Sequence, residues 1–480
     1  MGVMVSEQVT ASGRADGGPA AALVAAPASQ AVRPDIPRWR EVFAGGRGGL
    51  TAGLCVVELL AGMQLLITSS TMPKVLSDIG GIAFYGWVFS GYSLAGLAAI
   101  PRAGREADRR GPLRPLAEQM TVFAVGTVLA GLAPSMLLLA GARVIQGYGG
   151  GGLYTTAYAV VAKGYPERVR ARVLALLTLV WVISGLAGPA LGVLLANTVG
   201  WRWSFLLSLP LTAGAALLVL PHLRRMHGDP QSMGKLPTRW PLQLAAGVGI
   251  IVAALSTPAW WSAPLGVAGA ALTLQALLHV LPRGTLTVRP GLPAAIALAF
   301  MTGLGFFAAD AYVTLLLTGV AGQTLAQAGI AVVLVSLSWS VASWWQSRAI
   351  TRWSHAGLVR LGAALLLVGI IGTSAALAGL PGWAVDTAWT IAGAGMGIVY
   401  PTLLIASMGA ADAGEEATVV AARFVGGRLG MSLGTGLGGV SVSLAAAAGA
   451  PLRAGLAGTF ALAVAAAGLG LGLAGRVRAA

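Results

Sequence analysis

Three ionisable residues stand out because they lie within long apolar runs: Glu58, Arg143 and Asp310. A charge facing lipid at mid-membrane costs at least about 2.5 kcal/mol, so such residues point to a wet interior and to function. A carboxylic acid in that setting can take up a proton from one side and lose it to the other. Desolvation favours the neutral acid, and a nearby cation favours the carboxylate. The chemistry open to Glu58 and Asp310 is therefore reversible protonation or cation binding, with Arg143 tuning whichever acid it approaches. The plainer reading is an internal ion pair, Glu58 or Asp310 with Arg143, that only locks helices together.

The elements that must position these groups follow from composition. Of 480 residues, 10% are charged and 56% are hydrophobic, with 69 glycines besides. A soluble domain carries about 25% charged residues to cover its exterior. A globular cytosolic enzyme, a secreted domain and a disordered chain are excluded. At about 20 apolar residues per crossing, the apolar content allows about 13 membrane helices. Apolar runs separated by punctuation place spans at about 50–72, 82–101, 117–133, 136–160, 172–196, 202–220, 241–256, 260–280, 291–318, 326–346, 358–379, 384–407, 418–444 and 454–475. The chain reads as an all-α integral membrane protein of about 14 transmembrane helices.

Charge placement supports that count. The net charge of +15 would suggest nucleic acid in a soluble protein, but the arginines cluster between apolar runs. They read as topology determinants and contacts to lipid phosphates. With the N-terminus inside, 27 of the 31 Lys and Arg fall in inside segments, three fall outside (Lys74, Arg202 and Arg453), and Arg143 lies within a span. Dropping one span would invert every later loop. The expectation is a multi-pass protein of the cell membrane with both termini cytoplasmic. Residues 1–45 read as a disordered tail, although 19–31 faintly resembles a signal peptide and 37–43 could lie on the membrane surface. Cys55 is the single cysteine, and His222, His227, His279 and His355 lie in or beside loops, so neither a disulfide nor a metal site is expected.

Glycine patterns add detail. The run Gly149 to Gly152 follows Arg143, Gln146 and Gly147 within an apolar span and suggests close helix packing, since no phosphate-loop pattern accompanies it. Gly185, Gly188 and Gly192 fall on roughly one helical face, bent by Pro189. The loop after the second span carries Gly104, Asp108, Arg109 and Gly111 at a spacing more specific than a basic turn requires.

These motifs resemble the major facilitator superfamily. Gly104, Asp108, Arg109 and Gly111 resemble its signature loop, Arg143, Gln146 and Gly147 its fourth-span motif, and Gly185 to Gly192 its antiporter motif. Trp201, Arg202, Trp203 and Phe205, together with Gly393, Gly395, Gly397 and Pro401, are similar to sequences of its fourteen-span drug:proton antiporter branch; Gly430 and Gly434 fit as well. The resemblance implies two six-helix bundles, at about 50–220 and 291–475, joined by a transmembrane hairpin at about 241–280. The bundles would rock about a central cavity to give alternating access. Asp108 and Arg109 would help control the inside gate, Arg143 would tune the proton site, and Gly185, Gly188, Pro189 and Gly192 would seal the bundles against leak. Where the branch carries a first-span aspartate nine residues before a proline, this chain has Gln64, before Pro73.

The function so implied is proton-driven export of amphipathic cationic or neutral molecules, with multidrug efflux as one form. No enzyme activity, cofactor or metal is implied; the proton gradient would be the driving force. Partners would be a small-molecule substrate, protons and membrane lipids, with no nucleic acid, and the protein would be a monomer. Tyr148, Tyr154, Trp181, Phe306, Phe307, Tyr312 and Trp339 are candidate cavity-lining residues, against the plainer reading of packing or lipid-facing aromatics. The alternative is a dedicated exporter of one metabolite, antibiotic, sugar or lipid; proton-coupled uptake and a non-transporting receptor rank lower. Two further expectations concern geometry. Asp108, Arg109 and Arg110 should approach Glu415 and Glu416 at the start of the thirteenth span. Glu58, about 12 Å from the inside edge, and Asp310, about 28 Å from it, should both face the cavity. Asp310 should be the more readily protonated acid, because Arg143 lies nearer the first span.

Overall fold

The computed structural model describes residues 39–228, 239–256, 259–409 and 416–477. All of them lie in one compact unit, and no strand occurs among them. The helices are α1 (Trp39–Phe43), α2 (Gly48–Ile79), α3 (Tyr85–Arg110), α4 (Leu113–Gly131), α5 (Met136–Gly164), α6 (Glu167–Leu195), α7 (Trp201–Leu206), α8 (Ser208–Leu223), α9 (Arg239–Ser256), α10 (Ser262–Val280), α11 (Leu292–Gly319), α12 (Leu325–Ala349), α13 (His355–Ser374), α14 (Gly382–Gly409), α15 (Glu416–Ala447) and α16 (Leu452–Leu473). Among the described residues, 11 helical stretches are long and apolar enough to cross a membrane by length and composition. Leu217, Trp383 and Val267 are 77%, 72% and 70% exposed, an apolar exterior that water would not tolerate and lipid would solvate.

Several boundaries moved outward from the sequence reading. The first helix continues through Pro73 and Lys74 to Ile79. The second runs on to Arg110, so most of the expected signature loop is helix. That helix ends at Gly111, where φ is +82° and a methyl group would press on the Met226 carbonyl. The close break expected at 133–135 is real, and Ser135 caps α5 through the Leu138 amide at 3.4 Å. Of the expected tail, Trp39–Phe43 is instead a short helix with Val42 buried, packed on α2 and α6. Residues 1–38 lie outside the described residues.

Packing divides the helices into two bundles. In the first, α3 and α4 flank α5, while α6 and α8 flank α2. In the second, α11 and α16 flank α15, while α12 and α13 flank α14. The pair α9 and α10 forms a hairpin, with Trp240 stacked on His279 at 3.7 Å and Gln243 donating to Gln275 at 2.9 Å. Of this pair, α9 packs more closely on the bundles, filling the angle between α3 and α15. The glycines of α5 allow its close approach to α3. A methyl on Gly147 would strike Tyr92 backbone atoms, and one on Gly151 would strike Gly96. Gly151→Leu is therefore expected to overpack the α3–α5 contact and to destabilise the protein by about 1–3 kcal/mol. A thermal unfolding midpoint equal to the parent protein's would contradict this.

Candidate functional site

The bundles meet along four helix pairs, α2–α11, α2–α12, α3–α15 and α6–α12. Ser69 of α2 donates to the Asp310 carbonyl of α11 at 2.9 Å, and Thr314 donates back to the Ser69 carbonyl at 2.6 Å. Gly86 of α3 lies against Gly439 of α15, and the Tyr85 ring packs against that of Tyr312 at 5.2 Å with a tilt of 34°. Gly185 and Val193 of α6 face Ser336 and Gly329 of α12. All these contacts lie toward the end of the bundles opposite the α3–α4 turn at Gly111. On the Gly111 side, α5 does not pack closely on α14 or α15. That gap is crossed by side chains: Tyr154 and Tyr158 of α5, Tyr400 of α14 and Arg428 of α15, all partly exposed.

Glu58 sits at the wall of this cleft, ten residues into α2, and its side chain is buried. Its Oε1 accepts a hydrogen bond from Trp181 Nε1 at 2.5 Å, and its Oε2 is buried without a partner. The cation acting electrostatically on it is Arg428. The Arg428 guanidinium lies 5.9 Å from the Tyr154 ring, and Tyr154 lies 4.7 Å from Tyr158. Glu58 thus touches Trp181 of its own bundle and lies within electrostatic reach of Arg428 of the other, without an ion pair.

Arg143 departs from expectation. It approaches neither acid. Its Nη1 donates to Gln146 Oε1 at 2.5 Å and to Gln64 Oε1 at 3.4 Å, its Nε donates to the Val88 carbonyl at 3.2 Å, and Tyr92 lies under it at 4.2 Å. Gln64 in turn donates to Ser208, and Gln146 donates to Thr127 at 2.8 Å. Where Gln64 replaces the expected acid, the arginine is held by neutral amides. The result is a fully buried polar network tying α2, α3, α4, α5 and α8 together. The simple ion-pair reading fails, and so does the expectation that Arg143 tunes Glu58 or Asp310.

Asp310, 18 residues into α11, is buried beside the α2–α11 contact and has no side-chain ion pair or hydrogen bond among the described residues. It is not brought together with Glu58. Of the expected lining aromatics, Tyr154 and Trp181 stand at the cleft. Phe306, Phe307 and Trp339 form an aromatic cluster with Trp389 and Tyr400, with Phe306 stacked on Trp389 at 5.0 Å and Trp339 at 5.8 Å from Tyr400. Tyr312 is buried in the bundle contact, its hydroxyl donating to the Thr435 carbonyl at 3.0 Å, so it seals rather than lines. Tyr148 turns away from the cleft and lines a lateral apolar groove of about 520 Å³ with Leu242 and Gly249 of α9.

The signature-loop residues serve the first bundle. Asp108 pairs with Lys163 of α5 at 3.2 Å, Arg110 pairs with Glu106 at 3.1 Å, and Gly111 touches the chain after α8. Gly104 lies beside Thr155, and Arg109 is exposed. Glu415 lies outside the described residues, as does the side chain of Glu416, so the expected gate contact falls beyond them. In the glycine motif of α6, Gly185 faces the opposite bundle at Ser336, Gly188 and Gly192 face α2, and Pro189 is buried in the helix. Trp201 and Arg202 both donate to Asp78 at the end of α2, at 2.8 and 3.1 Å.

Sequence reasoning missed Arg423 and Arg428, which were counted among the inside charges although both fall within the span placed at 418–444. They lie 7 and 12 residues into α15. Arg423 is fully buried, donates to the Tyr400 carbonyl at 2.6 Å and lies 4.2 Å from the Tyr400 ring. The available signal was their position within the apolar run 418–444. Asp386, which accepts a hydrogen bond from Gln323 at 3.4 Å, was also missed, near the start of the span placed at 384–407.

A family model of the Major Facilitator Superfamily matches residues 54–435. The chain belongs to the major facilitator superfamily. It is 35% identical over 170 residues to a "Multidrug resistance protein B homolog" of Mycobacterium tuberculosis, a match covering 35% of this chain and 32% of that one. It is 29% identical over 208 residues to "Efflux pump FUS6" of Gibberella fujikuroi, covering 42% and 37%. The chain thus spans about a third of the length of these curated relatives. Among solved structures, a bacterial homologue of the human lysosomal transporter Spinster shares the fold at TM-score 0.63 and 15% identity, covering 90% of this chain and 96% of that one. A D-xylose-proton symporter does so at TM-score 0.62 and 14% identity, covering 88% and 97%. The major facilitator fold expected from sequence is therefore present: a multi-pass, all-helical membrane protein of a transporter family, not an enzyme family.

Proposed function

We propose that this protein is a proton-coupled exporter of amphipathic small molecules, working by alternating access between its two bundles. The observation that carries the reading is Glu58: an acid buried in the wall of the inter-bundle cleft, with one indole donor, one unpartnered oxygen, and a cation of the opposite bundle within electrostatic reach. Protonation there changes how strongly the bundles attract one another across the cleft, which links a proton to a rigid-body motion. The names of its relatives, a multidrug resistance protein homologue and an efflux pump, support export as the direction.

In this reading the protein crosses the cell membrane 14 times, counting α4, α5 and the separate α6 and α8 alongside the apolar stretches. Both termini are cytoplasmic. The domains are a first bundle at about 50–220, the hairpin at about 241–280 and a second bundle at about 291–475. The contacts between α2 and α11, α3 and α15, and α6 and α12 close the outer side, and the cleft opens inward. The glycine motif of α6 supports the seal through its contact with Ser336.

Reconstitution into proteoliposomes tests the proposal. A proton gradient is expected to drive ethidium, an amphipathic dye, against its concentration gradient, and dissipating the gradient should remove the accumulation. Equal fluxes with and without the proton gradient would refute proton coupling.

A further inference from the structure

The lateral groove that Tyr148 lines runs along the lipid-facing wall of the first bundle, where α9 meets it. It holds about 520 Å³ between Trp87 and Ala98 of α3, Ile145 and Tyr148 of α5, and Leu242 and Gly249 of α9. Apart from Trp87 and Tyr148, its described walls are aliphatic side chains or glycine. From Trp87 to Ala98 the groove follows α3 for about 16 Å, at about 1.5 Å per residue. That is the depth of one leaflet in a hydrocarbon core about 30 Å thick.

One end of the groove is cationic. Gly249 sits beside Trp87 and Leu94, which leaves Leu242 and the start of α9 toward the Ala98 end. There Arg102 follows Ala98 by one turn on α3, and Arg239 precedes Leu242 by one turn on α9. Each arginine therefore stands on the helix face that lines the groove. Both are exposed, and neither has an ion pair among the described residues. The Arg239 guanidinium lies 4.4 Å from the Trp240 ring. On α4, Glu118 stands one turn from the lining residue Val122, and Arg114 stands a further turn away, so the net charge at this end is positive. A second lateral groove, of about 470 Å³ between α4 and α8, lacks such a pair of cations. One turn beyond its lining residues Thr121 and Ala216 stand Glu118 and Leu220.

We propose that the α3–α5–α9 groove binds an anionic phospholipid, with one acyl chain along the groove and the phosphate at Arg102 and Arg239. A guanidinium presents a planar fork of donors suited to phosphate oxygens, and basic pockets between membrane helices recognise anionic headgroups. The groove's apolar walls and one-leaflet length suit an acyl chain that enters from the side of its cationic end. In the topology proposed above, that end faces the cytoplasmic leaflet. The lipid joins α3 to α9, the helix that fills the angle between α3 and α15, and so holds the hairpin on the first bundle. The site lies away from the Glu58 cleft and is independent of the exporter reading.

The test uses phosphatidylglycerol and phosphatidylcholine with identical acyl chains. The full chain is released from nanodiscs of an equal mixture, and retained lipid is counted by native mass spectrometry. The parent protein is expected to retain phosphatidylglycerol over phosphatidylcholine by about tenfold or more, and Arg102→Gln/Arg239→Gln should remove that preference. Arg348→Gln/Arg352→Gln, which removes the same charge away from the groove, should leave it intact. Ala246→Phe keeps both arginines but fills the groove from an exposed position, and it should lose phosphatidylglycerol as well. Ala95→Leu, on the facing wall, is a second filling variant should the first fail to fold. Equal retention of the two lipids by the parent protein would overturn the proposal, as would a preference that survives Arg102→Gln/Arg239→Gln. Retention that the folded filling variants leave unchanged would place the lipid on surface charge alone and overturn it too. So would a dimer, retaining no lipid, that the filling variants dissociate, because the groove would then hold a second copy of the chain.

Discussion

Glu58→Gln is expected to reduce transport driven by a pH gradient by at least about tenfold, equivalent to about 1.4 kcal/mol of lost coupling. The substitution is nearly isosteric and keeps an oxygen to accept the Trp181 Nε1 hydrogen at 2.5 Å, so the fold should be retained. What it removes is the ability to change charge. The unpartnered Oε2 becomes an uncharged group facing a cleft that Arg428 also enters, and the attraction between α2 and α15 no longer depends on pH. Substrate exchange without a gradient should persist, because the bundles can still rock. Gradient-driven accumulation should not. Asp310→Asn provides the comparison: Asp310 has no charged partner among the described residues, so its replacement should affect coupling less. Normal gradient-driven flux in the Glu58→Gln/Asp310→Asn double variant would exclude both acids as the coupling site.

Arg143→Met should produce the largest loss of stability. Methionine fills much of the volume but supplies no donors. The Gln64 and Gln146 oxygens and the Val88 carbonyl would each lose a hydrogen bond from a charged group in a fully buried setting. An unsatisfied buried polar group costs about 1–3 kcal/mol, and the relief from removing a desolvated cation works the other way. The two orphaned amide oxygens outweigh that relief, because Tyr92 at 4.2 Å and the amides already offset much of the cost of burying the charge, although its Nη2 has no partner. A net loss of about 3 kcal/mol is expected, visible as a lowered thermal midpoint in nanodiscs. Arg143→Lys keeps the charge but not the fork, so it should fall between the two. An unchanged midpoint for Arg143→Met would show that the network contributes specificity rather than stability. Because α2, α3, α4, α5 and α8 all join at this residue, the effect should appear in folding yield as well as in transport.

Much of the fold was legible because lipid imposes a simple rule on sequence. Each crossing must satisfy its backbone hydrogen bonds internally and present apolar side chains, so helices read as long apolar runs broken by glycine, proline and charge. Local motifs were legible for a similar reason. Gly111 ends α3 because only glycine readily adopts φ +82° against the Met226 carbonyl. The glycines of α5 and α6 mark close helix approaches that a side chain would obstruct. The presence of Glu58 and Asp310 in apolar runs was equally plain.

Their partners were not legible, because partnership across a bundle depends on helix rotation and on which helices become neighbours. Composition cannot say that Arg143 turns toward Gln64 and away from Glu58, although both residues lie on α2. It cannot place Arg428, 370 positions along the chain from Glu58, within electrostatic reach of that acid; a charge near a helix end looks the same whether it faces lipid phosphate or a cleft. Nor could an aromatic's role be read from its type: Tyr312 seals the bundle contact, Tyr148 lines a lateral groove and Tyr154 stands at the cleft. The sequence alone determined that the chain forms membrane helices, roughly where they begin and end, and which buried charges needed an explanation. Tertiary packing alone decided which charges meet, because a side chain's direction changes by about 100° with each residue of helix and only the assembled bundle fixes what lies in that direction.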